Sequence, residues 1–337
     1  MKTRTDMPLD FSSWQTELGE SLRNAQDLLA EGLIEADEVP RYEALLLRYR
    51  FALPRYYASL IDKKDPRCPI RLQALPSLLE LEDTPGKADP LDDSAHRPAP
   101  RITHRYRNRV LLHLTPNCSM YCRFCFRKTL LNDLRDTLFT GELEATLRYL
   151  SDNREIEEVI FSGGDPLLAN EETLDSVLEN ITGMKHIERV RFHTRVPVTL
   201  PSRITADWVA RVSRHQFPVV VVVHFNHPRE VTPQSTQACR NLRDGAITLL
   251  NQSVLLRGVN DSSEILAHLS KKLFAIGVLP YYLHHPDPAQ GTAHFAVSVE
   301  QGRRIFHELR ARLSGYLVPR YVQDDLRFPY KRYAIET

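Results

Sequence analysis

The spacing of apolar residues changes twice along the chain. In roughly the first 65 residues they recur at helical spacing, with Leu18, Leu22, Leu28, Leu29 and Leu33 following Ser12-x-x-Gln15. That dipeptide frame resembles a capping box and predicts the first helical stretch. Further helices are predicted over 39–49 and from Pro54 onward. From 84 to 103 the periodicity lapses. Pro85, Pro90, Pro98 and Pro100 stand among charges there, which predicts an extended connector outside the core. Beyond it, short runs rich in β-branched residues cover 110–115, 158–162, 189–194, 219–225, 247–256 and 279–284. Helical stretches fall between them, at 141–151, 173–180, 205–213, 233–243 and 262–275. The later strand starts lie about 30 residues apart, the length of a βα unit. The runs are nearly all apolar, as in parallel strands covered on both faces. Six units predict an α/β fold, a partial (β/α)6 TIM-like barrel with an N-terminal helical region. No Gly-rich dinucleotide fingerprint follows the first strand, which weighs against a doubly wound sheet. The boundaries expected are 1–100 for the helical region and connector, 101–316 for the barrel and 317–337 for a C-terminal segment.

Composition narrows the function only by exclusion. The chain has 337 residues, 42% hydrophobic and 26% charged, with net charge +1. No basic excess points to nucleic acid or to an anionic membrane. The most apolar run, from Phe217 to His224, is too short to span a bilayer. Five cysteines and an N-terminus without an apolar signal region predict a reduced, cytoplasmic protein.

Chemistry enters at the strand ends. Cys118-Ser-Met-Tyr-Cys122-Arg-Phe-Cys125 follows the first strand, and Gly163-Gly164-Asp165-Pro follows the second. Thr194-Arg195-Val-Pro, His224-Phe-Asn-His227-Pro, Asn251-Gln252-Ser253 and His284-His-Pro-Asp287 belong to the next four. In a barrel the C-terminal strand ends carry the active site. Three thiolates on one loop can hold three irons of a 4Fe-4S cluster, leaving the fourth open to a small molecule. A zinc site and a redox-active C-x-x-C pair at Cys122 and Cys125 remain open on the cysteines alone. Cys68 and Cys239 are isolated. His224 and His227 sit three apart, which points them to opposite faces of a strand and away from a shared metal.

These motifs, with Asn251-Gln-Ser-Val-Leu-Leu-Arg-Gly-Val-Asn-Asp261, resemble those of radical S-adenosylmethionine enzymes, and among them the lysine 2,3-aminomutase family. The resemblance covers about residues 100 to 331. It implies that Cys118, Cys122 and Cys125 hold the cluster. It also implies S-adenosylmethionine contacts from Gly163, Gly164, Asp165, Arg195, His224 and Gln252, the two glycines letting the cofactor approach the backbone. Arg105, Tyr106 and Arg109 match the family's pyridoxal phosphate contacts, and arginine suits a phosphate because its planar donors grip two oxygens. Lys331 matches the lysine that forms the Schiff base with that cofactor, so the 317–337 segment would close its site. Arg127 matches the residue that pairs with the substrate carboxylate. Asp287 and Asp324 match the two acids around the distal ammonium of L-lysine.

Two departures stand out. The family has a glycine run before the Schiff-base lysine, whereas this chain reads Asp324-Asp-Leu-Arg-Phe-Pro-Tyr330. Ser262 replaces the cysteine that other members contribute to zinc, so no structural zinc is expected. The reaction implied is conversion of L-lysine to β-lysine, with a flavodoxin- or ferredoxin-type reductant. The elongation factor P pathway aminomutase, which makes (R)-β-lysine, is a sister alternative. A radical enzyme without pyridoxal phosphate is another, and an iron–sulfur electron carrier or sensor is the non-enzyme reading. A homo-oligomer is left open.

Overall fold

The computed structural model of the chain describes residues 13–81 and 86–335. Its single sheet runs in sequence order. β1 (Ile102–Tyr106) pairs antiparallel with β2 (Arg109–Thr115). Then β3 (Glu158–Gly163), β4 (Arg189–Thr194), β5 (Val219–Val223), β6 (Thr248–Val254), β7 (Leu279–His284) and β8 (Arg320–Gln323) follow, each parallel to its predecessor. β9 (Arg332–Tyr333) folds back antiparallel on β8. Among the described residues β1 and β9 stay at opposite edges of the sheet, so the fold is an open, partial barrel.

The six predicted strands are all present, and β8 makes a seventh parallel one. Helices Leu143–Asp152, Glu171–Thr182, Ala206–Ser213, Pro233–Asp244 and Ser263–Ala275 occupy the intervals expected. Local chemistry starts them. Asn170 Oδ1 accepts from Glu172 N and Thr173 N, and Thr232 Oγ1 accepts from Ser235 N just ahead of Pro233. The outer face of the sheet is apolar: Phe161 stacks on Phe192 at 4.6 Å, and Phe192 meets Trp208 edge-on.

Three expectations change. Ser12 lies outside the described residues; the helix Trp14–Gly19 is capped by Ser13, whose hydroxyl accepts from Thr16 N. Pro85 also lies outside them. The connector is not external: Ile102 and Thr103 enter β1, and Asp93 is buried. The third change concerns β4, which is not apolar on both faces. Arg189, Arg191 and His193 alternate with Val190 and Phe192 and line the barrel interior. The N-terminal helices and the barrel share one continuous hydrophobic core, from Leu22 and Leu28 to Val221 and Leu273. No described helix is long and apolar enough to cross a membrane.

Candidate active site

The cysteine loop leaves β2 at Thr115 and is pinned from both sides. Thr115 O accepts from Gly164 N at 2.9 Å, and Asn117 O accepts from Asp165 N at 2.7 Å. From the N-terminal region, Arg50 Nη1 donates to Pro116 O and Arg50 Nη2 to Asn117 Oδ1, both at 2.9 Å. Gln73 O accepts from Arg123 N, and Glu80 takes Arg123 Nε at 2.9 Å and Lys128 Nζ at 2.8 Å. Glu80, Arg123 and Lys128 are all buried, so the loop that carries the cysteines is anchored by a desolvated charge cluster. Nothing in the local sequence pattern singles out Glu80, Gln73 or Arg50.

The two glycines are required by the protein itself. Gly163 has φ of +115°, and a Cβ there would meet Thr115 O and His113. A Cβ on Gly164 would come within 2.6 Å of Pro116 C and closer still to Asn117 O. The Gly-Gly pair therefore lets the end of β3 press against the cysteine loop, a constraint separate from any cofactor contact. Gly164→Ala is expected to destabilise the fold by about 1–3 kcal/mol through this overlap. Gly183→Ala, whose Cβ would meet only Asn180 O at 3.4 Å, should stay within about 0.5 kcal/mol. Thermal unfolding of the two variants side by side checks this, and equal midpoints would remove the steric account.

A cavity of about 600 Å³ runs through the open barrel, and every sequence-predicted site residue lines it. Cys118, Cys122 and Cys125 stand at the C-terminal rim. Burial pushes the Cys118 thiol well above its usual range and Cys125 to about 11. Asp165 lines the cavity, but its oxygens serve the protein: they accept from Thr194 Oγ1, Arg195 N and Leu167 N at 2.7 to 3.1 Å. Gln252 faces the same space from β6. His224 does so at the end of β5, and its Nε2 is buried without a partner. Burial, followed by the Arg195 charge, depresses its pKa far below the ordinary value, so the ring is neutral. His227 is turned away and caps its own turn by accepting from Arg229 N at 3.1 Å.

Acids and bases meet deeper in the barrel. Lys331 Nζ makes a short bond to Asp324 Oδ2, while Arg105 Nη1 and Tyr106 OH reach Asp324 Oδ1 at 3.5 and 3.3 Å. Burial is the largest influence on Asp324 and opposes its charged form, but Lys331, His284 and Arg105 together outweigh it and the pKa falls. Asp287 is the contrasting acid. Its carboxylate has no hydrogen bond among the described residues. Burial, reinforced by Asp324, raises it to about 7. Arg109 lies over the Tyr106 ring at 3.9 Å. Arg127 Nε is held at 2.8 Å by Asp93, a residue of the connector that sequence reasoning placed outside the core. His193 was also missed. It lines the cavity from β4, its Nε2 is buried and unpartnered, and burial holds it neutral.

An open α/β barrel with three cysteines at its mouth, above a largely apolar cavity that gathers a few arginines, acids and a lysine, fits a radical S-adenosylmethionine enzyme. A profile described as "Radical SAM superfamily" matches residues 112–269. The chain is 38% identical to the L-lysine 2,3-aminomutase of Clostridium subterminale over 94% of its length and 76% of that protein. It is 39% identical to the L-lysine 2,3-aminomutase of Escherichia coli K12, over 92% of this chain and 91% of that one. For the Haemophilus influenzae protein of the same name the figures are 37%, 95% and 94%. The chain belongs to the lysine 2,3-aminomutase family of radical S-adenosylmethionine enzymes. Membership brings a 4Fe-4S cluster and S-adenosylmethionine, and sets aside the electron carrier or sensor.

The residues present fit those groups. Burial disfavours the charged forms of Cys118 and Cys125, and a metal would supply the positive charge that makes them good ligands. Among the described residues, no three His, Cys, Asp or Glu side chains close on one point as ligands of a single ion. Three thiolates on one cluster each meet a different iron and need not do so. The orphaned Nε2 of His224 offers a polar contact to a ligand below the cluster.

Proposed function

We propose that this chain is an isomerase that moves the amino group of L-lysine from Cα to Cβ, giving β-lysine, with pyridoxal phosphate as a third cofactor. The observation that carries the proposal is the meeting of Arg127, Asp287, Asp324 and Lys331 in the cavity that the three cysteines cap. When bound, the cluster and S-adenosylmethionine would supply a carbon-centred radical, and pyridoxal phosphate a ring that delocalises the unpaired electron while nitrogen migrates.

The chain's own residues position and exclude water. Cys118, Cys122 and Cys125 would ligate the cluster. Gly163, Gly164, Arg195, His224 and Gln252 would contact S-adenosylmethionine, with Asp165 fixing the strand ends around it. Arg105, Tyr106 and Arg109 would take the phosphate of pyridoxal phosphate, whose anionic oxygens match arginine's planar donors. Arg127, oriented by Asp93, would hold the substrate carboxylate, and Asp287 with Asp324 its distal ammonium. A cation taken out of water needs such anionic partners. Lys331 now supplies the cation at Asp324. To react with an aldehyde the Lys331 ammonium must first give up a proton to solvent. The Asp324 carboxylate it then no longer neutralises would be left for the distal ammonium of the substrate. Electrons would come from a flavodoxin- or ferredoxin-type donor, in a cytoplasmic setting that keeps thiols reduced.

The test is anaerobic reconstitution with iron, sulfide, pyridoxal phosphate and S-adenosylmethionine. Borohydride reduction followed by peptide mapping is expected to label Lys331, and L-lysine is expected to yield β-lysine. Label on Lys185, Lys271 or Lys272 would overturn the role of Lys331. No label at all would point to a radical enzyme that works without pyridoxal phosphate.

A further inference from the structure

One cation touches a cluster cysteine directly. Arg195 Nη1 donates to Cys122 Sγ at 2.8 Å. Its Nη2 donates to Gln73 Oε1 and Glu230 Oε1, each at 2.6 Å, and to Tyr57 OH at 3.1 Å. Arg195 is 7% exposed and Glu230 is 0% exposed, so the contact lies out of water. Glu230 is itself fixed, accepting from Tyr57 OH and Asn226 N at 2.6 Å and from His227 N at 2.8 Å. Gln73 is fixed by its own bonds to Asn226 Nδ2 and Pro69 O. Two segments of the N-terminal region and the loop after β5 therefore aim one guanidinium at one sulfur.

A purely structural reading would make Arg195 a strut that ties the N-terminal helices to the barrel. The bonds to Gln73, Tyr57 and Glu230 suffice for that. The bond to Cys122 does not serve it, because the cysteine loop is already anchored through Arg50, Arg123 and Lys128. Adding an electron to an iron–sulfur cluster increases the negative charge on its sulfurs. Net charge and hydrogen bonds to those sulfurs are among the factors that set the potential, and a cation acts most strongly where water is excluded.

We propose that Arg195 tunes the reduction potential of the cluster through its bond to Cys122 Sγ, and that Glu230 sets how much of the guanidinium charge the sulfur feels. This rests on Cys118, Cys122 and Cys125 being the cluster ligands. Arg195 raises the potential and makes the one-electron reduction easier for a physiological donor. Glu230 opposes it. The two residues thus act in opposite directions on one quantity.

The experiment is a reductive titration of the reconstituted full chain, with dithionite as the one-electron donor and the reduced cluster followed by electron paramagnetic resonance. Arg195→Gln is expected to lower the equilibrium constant for reduction about tenfold, about 59 mV for one electron. Arg195→Lys should stay close to the parent protein. Glu230→Gln should shift the midpoint the other way. Arg195→Gln alone leaves Glu230 buried without its cation, so that variant can fail to fold. The double variant Arg195→Gln with Glu230→Gln removes that problem, and compared with Glu230→Gln alone it isolates the arginine. A lower midpoint in the double variant supports the proposal, and equal midpoints with full iron content overturn it. A parent protein that binds no cluster under the same reconstitution would instead sink the ligand assignment itself.

Discussion

Alanine at any one of Cys118, Cys122 and Cys125 is expected to reduce the release of 5′-deoxyadenosine from S-adenosylmethionine to the level of cluster-free protein. The three thiols share one loop, and among the described residues no fourth cysteine lines the cavity to replace a lost ligand. Removing one thiolate leaves an iron corner without its protein ligand, in a loop where burial already disfavours the charged forms of Cys118 and Cys125. Cys68→Ala and Cys239→Ala form the control. Both residues are fully buried in the shared core away from the cavity, so the expected cost is about 1 kcal/mol of packing, with iron content unchanged. The measurement pairs iron and sulfide analysis with product release under dithionite. A Cys125→Ala protein that releases 5′-deoxyadenosine at the parent rate would show that the cluster ligands lie elsewhere.

The strand ends were legible because a βα repeat fixes which loops share a rim, and each motif directly follows an apolar run. Placing Cys118, Asp165, Arg195, His224 and Asp287 on one side needed only the positions of the strands. Less visible were β1, β8 and β9. Each is short, two are edge strands, and β1 begins beside Pro98 and Pro100, so local composition argued against pairing. Partner choice was not legible either. Asp93 meets Arg127 across 34 residues of sequence, and Gln73 meets Arg195 across 122. Such pairings are decided by tertiary packing, and the periodicity of either segment carries no trace of them. The lining of β4 shows a different failure. Arg189, Arg191 and His193 alternate cleanly with apolar neighbours, but the apolar average of the surrounding runs masked the alternation. The Gly163-Gly164 pair has a structural reason that its motif does not reveal, since backbone approach to Asn117 already requires Gly164.

Substrate selection should fail most visibly at Asp287. Its carboxylate sits in the cavity without a hydrogen bond, beside a second acid, and burial together with the Asp324 charge lifts it to about 7. Lys331, Arg127 and Arg105 pull the other way and do not cancel the effect. The deprotonated form is the one that can pair with an ammonium, and the free enzyme's ionisations govern kcat/KM. The sign follows directly: kcat/KM for lysine should climb as pH rises through about 7 and level off above it, as Asp287 becomes anionic. Asp287→Asn should remove that limb. It should also lower kcat/KM for lysine by about 30-fold or more, because a desolvated ammonium loses one of its two counterions at about 2–5 kcal/mol. Binding of S-adenosylmethionine should be nearly unchanged, since Asp287 follows β7, four strands along the sheet from the Gly163-Gly164 turn that ends β3. Glutamate and alanine, which have no distal cation, should be poor substrates of the parent enzyme, and arginine's bulkier guanidinium should crowd the two acids. The check is product analysis with lysine, arginine, glutamate and alanine offered separately across the pH range. Parent turnover of glutamate or alanine at the lysine rate, or an intact acid limb in Asp287→Asn, would remove both acids from substrate recognition even if the cluster and Lys331 roles held.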